Sequence, residues 1–477
     1  MKPVVNDLSI HVATVNGSGS QTANSVLLRS LFQMGLPVSG KNLFPSNIAG
    51  LPTWFTIRVS ESGYIARRRH NDVLVVMNPE TAAQDVAAMG PGSVIVVNET
   101  IAIPEVPADR IVHRVPMAKL MEPITNDVKL RRMVVNMIYV GVLAELLGID
   151  PAEVERALVA QLGRKPKALA LNQAAVKAGL DFTAAHLEAR GAFRVERRDL
   201  TAGRILIDGN SAAGLGAVFG GVTFVSWYPI TPSSSLIEAT NGFLERFRRD
   251  ADGRATFGVV QAEDEIAAIG MVMGAGWSGA RAMTATSGPG LSLMAEFTGL
   301  GYYAEVPAVI FDVQRVGPST GLPTRTAQGD LTMAATLSHG DTKHPMLLPC
   351  SVEECYSMAI DAFDLAERLQ TPVFVMLDLD LGMNNWASIP FAYPEKPIDR
   401  GKRLTPEVRQ RIGEWGRYED IDGDAIPYRT VPGDGMPAYF ARGSGHNAKA
   451  QYSERPNDYV ENVNRLARKF DTARQYV

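Results

Sequence analysis

The chain has 477 residues, enough for two or three domains at roughly 150 residues each. Its 46% hydrophobic and 21% charged content is that of a globular protein with a sizeable core, and a net charge of −4 offers no cationic surface to nucleic acid or to an anionic membrane. Two cysteines, Cys350 and Cys355, exclude a disulfide framework and cannot by themselves ligate a four-cysteine cluster.

In chain order, Leu8–Val15 reads as a strand, Asn16–Gln21 as a glycine turn, and the spacing of Val26, Leu27, Leu28, Leu31 and Phe32 as an apolar helix face. Further strands are predicted at Trp54–Val59, Val73–Met77 and Ser93–Val97, giving residues 1–195 as an α/β domain with a mostly parallel sheet. Met133–Leu147 predicts a strongly apolar helix, stopped by Gly148 with Pro151 beyond it. Gly35–Lys41 has the outline of a P-loop. However, Asn42 stands where a magnesium-binding hydroxyl belongs and the segment follows a helix, so that reading is rejected. Gly17 and Gly19 lack the third glycine of a dinucleotide fingerprint, since Thr22 occupies its place.

Residues 203–390 predict a second α/β domain. Its strands are expected at Arg204–Ile207, Thr223–Trp227, Thr256–Val260, Ala282–Ala285, Ala308–Val313 and Pro372–Leu377, with helices between them. Residues 391–477 are richer in proline, glycine and charge, and are expected to be an extended linker closed by an amphipathic helix near Tyr459–Lys469. No basic-then-apolar leader stands in Met1–Ile10 and no apolar run of about 18 residues occurs, so the expected location is the cytoplasm. The histidines show no zinc-ligand spacing, and no metal ligand is expected in this chain.

Four clusters carry the chemistry. In Tyr228-Pro229-Ile230-Thr231-Pro232-Ser233-Ser234, two prolines stiffen a strand-to-helix turn around the Thr231 hydroxyl, while the serines read as helix caps. Gln261-Ala262-Glu263-Asp264-Glu265 ends a strand and opens a helix that is apolar almost all round, so a carboxylate there would lie at the crevice of an open α/β sheet. Complementing the helix dipole accounts for Glu263 and Asp264. Thr284-Ala285-Thr286-Ser287-Gly288-Pro289-Gly290 presents hydroxyls and backbone N–H groups after a strand. Arg315 follows an apolar strand and leads into a loop of Gly, Pro and hydroxyls through Thr320 and Thr324; its planar fork suits a carboxylate. His339-Gly340-Asp341 is a weaker candidate for the same mouth.

In order and spacing, Tyr228–Ser234, Glu263–Gly270, Thr284–Gly290, Gln314–Thr324, Gln328-Gly329-Asp330 and His339–Asp341 resemble the alpha subunit of 2-oxoacid:ferredoxin oxidoreductases, of the 2-oxoglutarate type. Gly17–Gln21, Phe44-Pro45-Ser46 and Phe55-x-Ile57-Arg58 resemble the gamma domain of the same enzymes, here fused at the N-terminus.

The resemblance implies two α/β domains, the second a pyrimidine-type thiamine-diphosphate-binding parallel-sheet fold. It implies thiamine diphosphate shared with a separate beta subunit, which holds the diphosphate, Mg2+ and a [4Fe-4S] cluster. Glu265 would hydrogen-bond the aminopyrimidine ring, and Tyr228, Pro229, Ile230, Ser287 and Gly288 would line the cofactor. Arg315 would hold the substrate carboxylate, Thr231 the reacting group, and Thr320 and Arg325 the rest of the substrate or coenzyme A. The implied reaction is oxidative decarboxylation of a 2-oxoacid with coenzyme A, electrons passing to ferredoxin, in a dimer of heterodimers. The competing reading is a non-catalytic scaffold subunit, which the joint presence of Glu265, Thr231 and Arg315 disfavours. A nicotinamide dehydrogenase lacks its glycine fingerprint here.

Overall fold

The structure is a computed structural model that describes residues 3–44, 49–187 and 192–476, so Pro45 and Ser46 of the Phe44-Pro45-Ser46 motif lie outside the described residues. Its chain divides into two units, Met1–Ile207 with Asn384–Pro390, and Asp208–Met383 with Phe391–Val477.

In the first unit the strand Asp7–Val15 pairs parallel with Val73–Val76 and antiparallel with Pro52–Ser60. Val94–Asn98 and Ile111–Val115 extend the parallel side. On the other side Val38–Leu43 runs antiparallel to Pro52–Ser60, and Asn385–Ser388 antiparallel to Val38–Leu43, with Ile205–Asp208 outermost. The sheet is therefore mixed rather than mostly parallel. The connection between Val38–Leu43 and Pro52–Ser60 is too short for a crossover, so the two can only pair as a hairpin.

Strand alternation sends Leu8, Ile10 and Val12 into one core layer and Ala13 into the other, with Leu74 and Val76. The helix Ser20–Gln33 seals the first layer with Ala23, Val26, Leu27, Leu28 and Leu31. The apolar helix expected over Met133–Leu147 is two helices, Val128–Val134 and Asn136–Leu147, and it stops at Gly148 in the left-handed conformation with φ 74°.

The second unit is built on six parallel strands in the order Gly258–Gln261, Phe224–Trp227, Ala282–Thr286, Ala308–Gln314, Pro372–Asp378 and Met346–Leu347. The apolar runs of Ala282–Thr286, Ala308–Gln314 and Pro372–Asp378 are buried on both faces, as the centre of an all-parallel sheet requires. Glu265–Trp277, Gly288–Leu293 and Ala295–Tyr303 cover one face, where Ala282, Ile310 and Phe374 join the core. Gly209–Phe219, Ser234–Phe247 and Val352–Leu369 pack together on the other. Among the described residues no helix is long and apolar enough to cross a membrane.

Two expectations change here. The strands Ile205–Asp208 and Asn385–Ser388, both inside the expected 203–390 domain, hydrogen-bond into the first unit's sheet. The segment 391–477 is not an extended linker, because it brings buried charges onto the N-terminal ends of the second unit's strands. Glu305, just before the strand Ala308–Gln314, accepts from both guanidinium nitrogens of Arg465 (3.0 and 2.6 Å) and from Lys469 Nζ (2.6 Å). Glu367 likewise accepts from Arg281 at 3.0 Å and Arg429 at 2.7 Å. The final helix runs over Pro456–Ala473.

Candidate functional site

The second sheet reverses its winding beside Phe224–Trp227. From Phe224–Trp227 the chain moves outward to Gly258–Gln261, then returns to the opposite side to form Ala282–Thr286. Open α/β sheets bind ligands in the crevice beyond the strand C-termini at such a point. The loops that border it are Tyr228–Pro232, Ala262–Asp264 and Ser287–Gly290.

The three acids after Gly258–Gln261 separate into three environments. Glu263 is exposed, whereas Asp264 caps the helix by accepting the Ala267 N–H at 2.7 Å. Glu265, the first helical residue, is only 7% exposed. Room for its carboxylate exists because residue 290 has no side chain: a Cβ there would lie 2.1 Å from Thr286 Oγ1 and 2.8 Å from Glu265 Oε1. Gly290→Ala should therefore push Glu265 aside and lower turnover by about 10²-fold, the cost of an ångström-scale misplacement. Turnover compared with far-UV circular dichroism of the same sample checks this; unchanged turnover in a folded variant would refute it. The helix that follows is not buried all round, since Ile266 and Met271 stand 44% and 42% exposed.

Arg315, 6% exposed, ties two loops together. Its Nη1 donates to the Thr231 carbonyl at 2.7 Å and its Nη2 to the Thr320 carbonyl at 3.1 Å. Burial lowers its pKa against the attraction of Asp330 and Glu265, yet a guanidinium so far above neutrality stays cationic. Thr231 and Thr320 thus meet Arg315 through their carbonyls. Thr231 is half-buried and Thr320 exposed.

Tyr228 and Pro229 form an exposed lip, and the Ile230 carbonyl accepts from the Ser233 hydroxyl at 3.0 Å. Ser233 thus donates back into the loop instead of capping the helix Ser234–Phe247, as had been expected. Ser287 is fully buried ahead of the helix Gly288–Leu293. Gly288 lies beneath Asp330, whose carboxylate oxygens would be 2.7 and 2.8 Å from a Cβ at that position. Arg325 lies on the same loop as Thr320, its Nη1 donating to the Thr324 carbonyl and hydroxyl, each at 3.1 Å.

His339 and Asp341 line a different cavity, with Tyr302, Tyr303 and the final helix. Tyr302 and Tyr303 end the helix that leads into the start of Ala308–Gln314, so this cavity is at the opposite end of the strands from the crevice. Among the described residues no group of three or more His, Cys, Asp or Glu is placed to hold a metal ion. Cys355 is buried in the helix Val352–Leu369, and Cys350 is exposed.

Sequence reasoning missed Asn210, a fully buried side chain whose Nδ2 donates to the Pro232 carbonyl at 2.9 Å and to Ser235 Oγ at 2.8 Å, fixing the Thr231 turn from below. Nothing in its own neighbourhood signals this. It also missed Asp312, for which a signal was present: an acid within the apolar strand Ala308–Val313.

Residues 215–460 match the family described as "Pyruvate flavodoxin/ferredoxin oxidoreductase, thiamine diP-bdg", and residues 9–182 match "Pyruvate ferredoxin/flavodoxin oxidoreductase". The chain is 32% identical over 442 residues to 2-oxoacid:ferredoxin oxidoreductase 1, subunit alpha, of Aeropyrum pernix, covering 83% of this chain and 68% of that one. It is 43% identical over 241 residues to the 2-oxoglutarate synthase subunit KorA of Methanothermobacter thermautotrophicus, covering 50% and 57% of the two chains. The solved 2-oxoglutarate:ferredoxin oxidoreductase from Magnetococcus marinus, with 2-oxoglutarate, coenzyme A and succinyl-CoA bound, superposes with a TM-score of 0.86 at 30% identity, covering 99% of this chain and 80% of that one. With a thiamine-diphosphate-binding domain in the second unit and the companion oxidoreductase domain in the first, the chain belongs to the alpha subunits of the 2-oxoacid:ferredoxin oxidoreductase family.

Proposed function

We propose that this chain is the alpha subunit of a cytoplasmic enzyme that converts 2-oxoglutarate and coenzyme A to succinyl-CoA and CO2 and delivers the electrons to ferredoxin. The observation that carries the reading is the convergence of Arg315, Thr231 and Glu265 on the switch-point crevice, each held by its own part of the sheet. The Magnetococcus enzyme, to which the whole chain is similar, binds 2-oxoglutarate, coenzyme A and succinyl-CoA.

The residues fit thiamine diphosphate. Glu265 is a buried carboxylate relieved of capping by Asp264, and Gly290 leaves the space in which it sits. Bound there, thiamine diphosphate supplies the electron sink for loss of CO2 from the 2-oxoacid. Glu265 Oε1 would hold the proton shared with the aminopyrimidine ring nitrogen. Tyr228, Pro229 and Ile230 would wall one side of the ring, and Ser287 and Gly288 the other. Arg315 would bind the substrate carboxylate through its fork, with the Thr231 hydroxyl on the reacting oxygen. Thr320 and Arg325 would border the distal part of the substrate or coenzyme A. We assign Mg2+, the diphosphate contacts and the [4Fe-4S] cluster to a beta subunit, which would cover the exposed apolar rim of Tyr228, Ile266 and Leu293 in a dimer of heterodimers.

Co-expression with a beta subunit, followed by anaerobic viologen reduction with coenzyme A and a panel of 2-oxoacids, tests the whole reading. Reduction that needs both chains and is fastest with 2-oxoglutarate is expected. No reduction by a complex shown to carry its cofactor and cluster would favour a scaffold. In the active complex, Arg315→Ala should raise the KM for the 2-oxoacid by about 30-fold or more, the order of a lost charge-assisted contact. An unchanged KM would move the carboxylate site elsewhere.

A further inference from the structure

Asp312 is 0% exposed and lies on the strand Ala308–Gln314, where its companions on the same face, Ala308 and Ile310, are core hydrophobics. Its in-register neighbours are Thr286 and Met376. Neither of its carboxyl oxygens accepts a hydrogen bond from an N–H or hydroxyl among the described residues. The side chain of Asp330 lies within hydrogen-bonding reach of it.

Asp330 itself is held in place. Its N–H donates to Gln314 Oε1 at 3.2 Å, and Gln314 Nε2 donates to the Leu377 carbonyl at 3.1 Å. Its carboxylate lies over Gly288, which has no Cβ to displace it. Two ionised carboxylates in contact, one of them without a single donor, are strongly unfavourable in such a surround, and one proton between them relieves both.

We infer that Asp312 and Asp330 share one proton and serve as a positioning pair for Arg315, their single negative charge resting on Asp330 and steadying the guanidinium while its positive charge stays available to the substrate carboxylate. This deepens the proposed function and rests on its placement of the carboxylate at Arg315. The charged groups around the pair are Arg315 and, beyond it, Glu265, both of which interact electrostatically across this site. The buried hydroxyls of Thr284 and Ser287 are neutral and accept no hydrogen bond among the described residues. With Asp312 protonated, Glu265, Asp330 and Arg315 leave one net negative charge. Loss of the shared proton would make it two and repel the incoming anion. Burial, reinforced by Asp330, pushes the Asp312 carboxyl well above its usual range, so the shared proton is lost only as pH rises past that range.

The test uses the assembled enzyme. Infrared difference spectra between wild type and Asp312→Asn should show, at neutral pH, a protonated-carboxyl C=O band that shifts in D2O; absence of the band overturns the inference. The KM for the 2-oxoacid should rise about tenfold on the alkaline side in the wild type, the order of one added charge at a partly solvated site. That rise should vanish in Asp312→Asn, whose amide cannot ionise, and an identical rise in the variant overturns the inference. If Asp312→Asn does not fold, Asp330→Asn provides the same reading, because the Asp312 band should move once its partner is an amide; an unmoved band refutes the pairing. Failure of the underlying reading is separable. Arg315→Ala with unchanged KM removes the substrate role and with it the positioning role, whereas the infrared band reports on the proton alone.

Discussion

Glu265→Gln is expected to lower turnover by about 10²–10⁴-fold, the range for loss of a proton-transfer group, while the alpha–beta complex still assembles. The expectation follows from how labour is divided among the acids. Asp264 accepts the Ala267 N–H and caps the helix, so neutralising Glu265 costs no cap. Gln has nearly the same shape as Glu, so the cradle left by Gly290 is still filled. What is lost is the charge at the crevice. Steady-state turnover with a viologen acceptor, alongside size-exclusion chromatography of the complex, measures both halves. Near-normal turnover would remove Glu265 from the chemistry, and a failure to assemble would make it a structural residue.

The second large effect is on stability. Glu305→Gln should destabilise the second unit by about 3–5 kcal/mol, because it leaves Arg465 and Lys469 buried without their counter-charge. That corresponds to a fall of roughly 10 °C in Tm for a unit of this size. The final helix, anchored by those two cations, should become the first site of limited proteolysis. A Tm within 2 °C of wild type, on the order of measurement scatter at about 1 kcal/mol, would contradict the expectation.

The same ion cluster sets an acid limit. Burial by itself would raise the Glu305 pKa, but Arg465 and Lys469 outweigh it and hold the carboxyl at about 2. A carboxylate depressed in the folded state contributes stability that is fully present above its ordinary value, near 4.5, and is lost as pH falls toward 2. Acid unfolding of the wild type should therefore steepen between those values. Glu305→Gln, less stable at neutral pH, should show a shallower dependence in that window, as read by circular dichroism against pH.

The secondary structure of the second unit was legible because its strands are short apolar runs bounded by turn residues. Phe224–Trp227, Ala282–Thr286 and Pro372–Asp378 lie within a residue of where the pattern puts them. Motif order also placed Tyr228–Pro232, Glu263–Glu265, Ser287–Gly290 and Arg315 at strand ends, and the parallel sheet brings those ends to one edge. The partners of two strands were not legible. Ile205–Asp208 looks locally like a member of the second sheet and Asn385–Ser388 lies in the expected 203–390 domain with no strand predicted for it, yet both hydrogen-bond in the first sheet. A strand's own residues encode its pleat and its apolar face, not the edge it completes. The segment 391–477 misled for a related reason: Arg417, Arg429, Arg465 and Lys469 read as solvated charge until Glu305 and Glu367 are brought to them from more than 60 positions away.

By itself, then, the sequence determined an α/β chain whose motifs follow one another in the order of a thiamine-diphosphate enzyme, since periodicity and turn chemistry act over a few residues and survive without a fold. Only the tertiary structure decided which carboxylate caps the helix and which is buried, that Arg315 binds the Thr231 and Thr320 carbonyls, that Gly290 makes room for Glu265, and that Asp312 meets Asp330. Each of these depends on distances between groups far apart in the chain, and therefore on burial and packing that no local window contains.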